Sequence, residues 1–452
     1  MRNGNTRAFG RLPGPGKKDT GKGGHHMERS DTVYQTYLEI LRRELVSAMG
    51  CTEPVALAYC AAVARKTLGA LPDRIEVEAS GNIIKNVKSV VVPNTGGRRG
   101  IAAAACIGAL AGDAEAGLEV IARVSEEDRE RLGAYMACTP VEVRPMTSEN
   151  LLDMIVTVHS GTSRARVRIA NEHTRIVLIE KDGRTLQESD SRQEDEAAGL
   201  PDYGLLTVEK IWDFACTCDP EDVREILDRQ IEQNTAIAEE GLRKDYGANI
   251  GKVLLTIGDD VRIRARAYAA AGSDARMNGS ELPVVICSGS GNQGLTASLP
   301  VIVYARELQA DREKLYRALL ISVLVTIHAK SGIGRLSAYC GAVSAGAGAG
   351  CGIAYLLGGN ERDIAHTIVN ALAITSGIVC DGAKSSCAAK IATAVETGIF
   401  GYEMYRNGQQ FYAGDGLVVK GVENSIANFG RLARIGMRGT DEEIIHMMTE
   451  ER

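Results

Sequence analysis

The sequence predicts an α+β fold: a mixed N-terminal region with an antiparallel sheet, then a mainly helical C-terminal domain. Three observations carry this. From Tyr34 to Val46, apolar residues recur at three- and four-residue spacing, the period of a helix. In Arg74-Ile75-Glu76-Val77-Glu78-Ala79, and in several segments up to residue 180, they alternate, the period of a half-buried strand. After about residue 271 the alternation stops, and apolar or small-residue stretches of helical length are separated by glycine.

Each element follows in order. Residues 31–68 read as helix interrupted by Met49-Gly50-Cys51-Thr52-Glu53-Pro54, with Pro54 suited to a first helical turn. Strands are expected at 74–79, 87–92, 141–143, 153–159, 165–170 and 174–180, with a small-residue helix at 100–111. Short polar turns between the later strands imply antiparallel pairing. An acidic loop at 190–199, with Glu194-Asp195-Glu196, precedes a helical stretch at 206–240. Further helices are expected at 300–309, 312–329, 348–357, 361–374 and 388–400, the fourth capped by Asn360. The chain thus divides into a disordered basic leader (1–26, six Lys/Arg against Asp19), a mixed region (27–270), a helical domain (271–440) and a C-terminal tail (441–452).

Composition narrows the function. With 44% hydrophobic and 24% charged residues, the chain is an ordinary globular protein. A formal charge of −6 argues against a nucleic-acid partner, which calls for a basic patch. No stretch has the length and apolarity of a membrane span, so no membrane partner is expected. Residues 1–26 lack the apolar core of a secretory signal. Eleven cysteines in 452 residues are too dilute for a disulfide scaffold. The expected location is the cytoplasm, where grouped cysteines more often mean metal or catalysis. A small-molecule substrate is the expected partner, and a homo-oligomer is left open.

Two motifs carry chemistry. Gly289-Ser290-Gly291-Asn292-Gln293-Gly294 matches the dinucleotide fingerprint and follows a strand-like 282–286. The context fails, because no second strand and no acid about 20 residues on close a nucleotide-binding unit. It reads instead as a polar glycine loop whose N–H groups, with Ser288, Ser290, Asn292 and Gln293, hold a small anion such as a carboxylate. Cys340, Cys380 and Cys387 each lie beside glycine or small residues, where a metal–sulfur group could fit. Three thiolates can hold an iron–sulfur cluster and leave one iron open as a Lewis acid. Cys60, Cys106 and Cys138 read as core, Cys216-Thr217-Cys218 as structural, and His328 as a satisfied core histidine. Asn82, Asn86 and Asn94 suit either turns or a site wall.

The segments Met49 to Pro54, Cys287 to Gly294 and Tyr339 through Lys390 resemble the L-cysteine desulfidase family, which is related to the iron–sulfur L-serine dehydratases through their alpha region. The likeness spans about 31–434. Cys340, then Leu357-Gly358-Gly359, then Cys380-Asp381 is similar to the dehydratase order. The interval from Cys380 to Cys387 is shorter than in the dehydratases and similar to the desulfidases. The resemblance implies a [4Fe–4S] cluster on Cys340, Cys380 and Cys387, in preference to Cys351, which stands too near Leu357. It implies for Cys51 the role of proton acceptor, or of a displaceable fourth ligand. The implied activity is β-elimination of sulfide from L-cysteine, with serine dehydration by the same mechanism as the alternative. A non-catalytic iron–sulfur redox sensor is the alternative of another class.

For that chemistry, Cys51 just ahead of a helix start is expected to have its pKa lowered by the helix dipole. Lys384, Lys330 and the 288–294 loop are the expected carboxylate binders. Nothing distinctive around either lysine suggests a pyridoxal phosphate site.

Overall fold

The computed structural model describes residues 27–189, 201–334 and 336–449; the leader and Glu194-Asp195-Glu196 lie outside them. In chain order the first part comprises α1 (Thr32–Glu44), β1 (Ser47–Met49), α2 (Thr52–Leu68), β2 (Arg74–Ala79), α3 (Gly81–Val87), α4 (Gly100–Ala111), α5 (Glu126–Cys138), β3 (Val141–Pro145), β4 (Asp153–Ser160), β5 (Ser163–Ala170), β6 (Ile176–Lys181) and β7 (Arg184–Glu188). Then follow α6 (Val208–Thr217), α7 (Pro220–Arg243), α8 (Ile250–Ile257), α9 (Val261–Met277), β8 (Pro283–Val285), α10 (Gly291–Glu307), α11 (Arg312–Ser331), α12 (Gly341–Leu356), α13 (Glu361–Thr375), α14 (Cys387–Arg406), α15 (Val422–Arg431) and α16 (Arg438–Thr449). The fold is α+β, as the change of period implies.

Alternation builds a six-stranded sheet in the order β3-β2-β4-β5-β6-β7. Its pairs are antiparallel except β2 with β3, which run parallel. One face buries Val77, Val156 and Val167 in a core shared with the Ala-rich α2 and α4. A second core gathers α1 with most of the helices from α6 onward. The boundary expected at 270/271 therefore falls inside α9, and α6 and α7 pack with the helices that follow them.

The 87–92 segment is not a strand. Ser80 starts α3, which runs through Val87, and residues beyond it make only one isolated bridge, Val91 to Arg99. Their apolar side chains are buried by tertiary packing, which alternation alone cannot distinguish from a ladder. Helix α10 begins at Gly291 rather than near Pro300, which lies inside it. Proline removes one rung of the helical ladder there, yet the buried flanks hold the helix together. Asn360 caps α13 with a full capping box.

Three features position the site. Strand β1 pairs with β8 (Ser47 to Val285), bringing the turn before α2 beside the loop before α10. Helices α12 and α14 cross main chain on main chain: a Cβ on Gly350 would stand 2.3 Å from the Gly398 carbonyl oxygen. Most of the segment expected to be a tail belongs to α16, which packs on α3 through a buried ion pair between Asp441 and Lys85.

Candidate active site

Cys51 caps the start of α2 at the end of the β1 turn. Thr52 Oγ1 donates to the Gly289 carbonyl at 3.1 Å, fastening that turn to the glycine loop. The loop closes on itself through reciprocal backbone bonds of 3.1 Å between Cys287 and Ser290. Ser288 and Gly289 take left-handed backbone, φ 49° and 77°, and the first turn of α10 follows at once.

Cys340 and Cys380 lie on adjacent antiparallel segments. The Cys340 N–H donates to Ile378 O at 3.1 Å, and the Cys380 N–H to Ala338 O at 2.6 Å. Cys340 caps the start of α12, and Cys387 is the first residue of α14. The two ends meet because these helices cross through small residues.

Cys51, Cys340, Cys380 and Cys387, with Ser290, Asn292 and Gln293, line one cavity of ≈ 100 Å³. Ser288 lines instead a larger neighbouring cavity of ≈ 760 Å³, which shares Lys330 and Leu336 with the first. Lys384 lines neither. It pairs with Asp381, which Lys390 also contacts, and donates to the Asp381 carbonyl at 3.0 Å. Burial opposes the charge on Asp381, but the two lysines hold its carboxyl down to about 2.

The expected lowering of the Cys51 pKa is reversed. Burial first, and then the charge of Glu53, push this thiol well above its ordinary value, with Arg276 acting the other way. The helix dipole is a partial charge; a carboxylate in contact outweighs it. The thiol donates to Glu53 Oε2 at 3.0 Å, and Asn86 Nδ2 donates to Glu53 Oε1 at 3.1 Å. Burial works against the Glu53 charge, but His173, with its Nε2 4.0 Å from Oε1, and the thiol bring its pKa to about 2. Burial, and then Cys380, push the Cys340 thiol up to about 12; burial also raises Cys387.

Sequence reasoning missed Glu53, His173 and Arg276 as cavity residues. Glu53 lies inside the Met49 to Pro54 motif, where an acid in the first turn of a helix has an ordinary reading as a partner of the helix dipole. Arg276 lies in the last turn of α9, ahead of the glycine loop and outside both motifs, and His173 comes from the turn after β5.

Among the described residues, no three His, Cys, Asp or Glu side chains converge as one metal ion requires. A four-iron cluster is larger than an ion and holds its ligands further apart. The donor set fits such a group: three thiols from two segments face one cavity walled by small residues such as Gly341, Ala342, Gly382 and Ala383. No helix among the described residues is long and apolar enough to cross a membrane.

A family described as serine dehydratase alpha chain matches residues 115–446, a span that holds the glycine loop and the three cysteines but not Cys51. A UPF0597 protein of Desulfitobacterium hafniense is 57% identical over 426 residues, covering 94% of this chain and 99% of that one. One from Lachnoclostridium phytofermentans is 52% identical over 417 residues (92% and 100%), and one from Treponema denticola 45% over 431 residues (94% and 100%). The chain belongs to the serine dehydratase alpha chain family.

Proposed function

We propose that the protein is an iron–sulfur lyase that eliminates sulfide from L-cysteine, consuming water and giving pyruvate, ammonia and hydrogen sulfide. The reading rests on one observation: Cys51, the three-cysteine set and the glycine loop, from distant parts of the chain, line a single cavity. Cys340, Cys380 and Cys387 would hold a [4Fe–4S] cluster, which when bound supplies an open iron as Lewis acid for the leaving group. Cys51 handles the α-proton. As a base it must be a thiolate, so its proton first leaves by way of Glu53, the carboxylate 3.0 Å away. The low proton affinity of Glu53 makes that transfer costly, so base strength depends on positive charge near the sulfur. The residues walling the cavity exclude water while the aminoacrylate product is still bound.

A second reading is serine dehydration on the same residues, favoured by the description of the family. Anaerobic reconstitution with iron and sulfide counting, then steady-state assays on L-cysteine and L-serine, tests both. We expect a cluster-stoichiometric iron content and faster pyruvate release from L-cysteine. Better turnover of L-serine would select the second reading. Failure to produce pyruvate from either, with the cluster loaded, would sink the lyase assignment.

A further inference from the structure

Arg276 is one of the most deeply buried large side chains, at 2% exposure. Its Nη1 donates to Asn292 Oδ1 at 3.0 Å, while its Nε has no hydrogen-bond partner. Among the described residues, the buried cation Lys85 has Asp441, and the half-buried Lys384 and Lys390 share Asp381. The Arg276 guanidinium has none. Lys330, the other cation on the cavity, is already engaged. Guanidinium stays protonated at any working pH, and an isolated buried charge is strongly disfavoured unless something neutralises it.

The surroundings show what would do so. Arg276 lies against the first turn of α10, so closely that a Cβ on Gly291 would stand 2.2 Å from its Nε. The first backbone bond of that helix is Gly294 N–H to Ser290 O, and Ser290 makes no side-chain cap. The preceding amides therefore have no partner within the helix. Gln293 is 4% exposed and its Oε1 lacks a partner, although its amide abuts Gly341. Fork donors, uncapped amides and a small enclosed volume converge on the same cavity. A planar two-oxygen anion matches the fork, and an unbonded amide or ammonium acceptor such as Gln293 Oε1 suits a neighbouring amine.

We propose that Arg276, with the uncapped first turn of α10, is the subsite for the α-carboxylate of a small α-amino acid, with Gln293 Oε1 accepting from its ammonium group. This rests on the lyase reading for the cavity and specifies what the cavity grips. It places the carboxylate on the protein rather than on the cluster, leaving the open iron for the leaving group. Ligands lacking a free carboxylate are excluded.

The test uses the full, cluster-loaded chain. Binding of L-alanine, which has nothing to eliminate, is measured by calorimetry beside L-alaninamide, and KM is measured with L-cysteine. We expect L-alanine to bind and the amide not to. Arg276→Gln should weaken L-alanine binding and raise KM by about 10- to 100-fold, the worth of a charged hydrogen bond. Its ligand-free melting temperature should hold or rise, since an unpaired charge has been removed; a purely structural arginine would lower it. Asn292→Asp offers Arg276 an internal carboxylate, so it should raise the melting temperature and displace L-alanine. Unchanged affinity in either variant would overturn the subsite. If L-cysteine is turned over and Arg276→Gln leaves KM unchanged, the lyase reading stands and the subsite falls. If no amino acid is turned over, but L-alanine binds and Arg276→Gln abolishes it, the subsite stands and the lyase reading falls.

Discussion

Removing the carboxylate of Asp441 should destabilise the protein far more than removing one from the surface. Lys85 and Asp441 form an ion pair with side chains only 1% and 8% exposed. Asn82 Nδ2 adds a bond of 2.7 Å to the same carboxylate, and Lys85 Nζ reaches the Cys380 carbonyl at 3.4 Å. Asp441→Ala leaves the buried ammonium without its carboxylate, a change that costs about 3–5 kcal/mol. With an unfolding entropy of about 2.1 cal/mol/K per residue, 452 residues give about 0.9 kcal/mol/K, so the melting temperature should fall by about 4 °C. Lys66 and Glu115 supply the control. Their side chains are 63% and 75% exposed, and Glu115→Ala should cost no more than about 1 kcal/mol. The double variant Lys85→Met, Asp441→Leu removes both charges and should recover most of the loss. Urea titration of all four proteins decides the matter. A loss below about 1 kcal/mol in Asp441→Ala, or a double variant as weak as the single, would refute the reasoning.

Two further outcomes are expected. Asp274 is 1% exposed; its Oδ2 accepts from the Gly251 N–H at 3.0 Å and its Oδ1 accepts from nothing. Burial raises its pKa from 3.8 to about 6, so the stability it contributes is complete below pH 3.8 and is lost as pH rises through 6. Asp274→Asn should therefore gain up to about 3 kcal/mol at pH 7 and nothing below pH 4, read by urea titration across pH. Gly350→Ala should force α12 and α14 apart, lowering stability by about 1–3 kcal/mol and reducing the iron retained after reconstitution. Gly377→Ala, where an added Cβ meets nothing within 4 Å, should change neither.

Much of the fold was legible because period and burial coincide in it. The strands at 74–79 and 153–170 and the helix at 100–111 show their periods plainly. Legibility failed where burial surrounds a segment. Residues 87–92 are apolar for tertiary reasons, and α12 starts at Gly341 although glycine disfavours helix, because glycine is what lets its neighbour approach. The cysteines and the glycine loop stood out as motifs, and the structure gathers most of them on one cavity. Arg276 and His173 did not stand out, since an arginine at the end of α9 or a histidine in a turn has no local signature. The sign of the Cys51 shift was unreadable for a related reason: it depends on which charge folds against the sulfur.

Helices α12 and α14 touch through peptide groups, with no side chain between them at Gly350 and Gly398. Cys340 and Cys387 stand at the starts of these same helices. The gap between the backbones that carry those two thiols is therefore set by a rigid joint, within which only the cysteines' own χ1 angles move the sulfurs. Two consequences follow. On the proposed reading, loading a cluster would be docking onto a backbone frame already in place, with little chain ordering to oppose it. And the frame is retuned by changing the joint itself, so drift in the side chains around it leaves the spacing of the two helix starts intact.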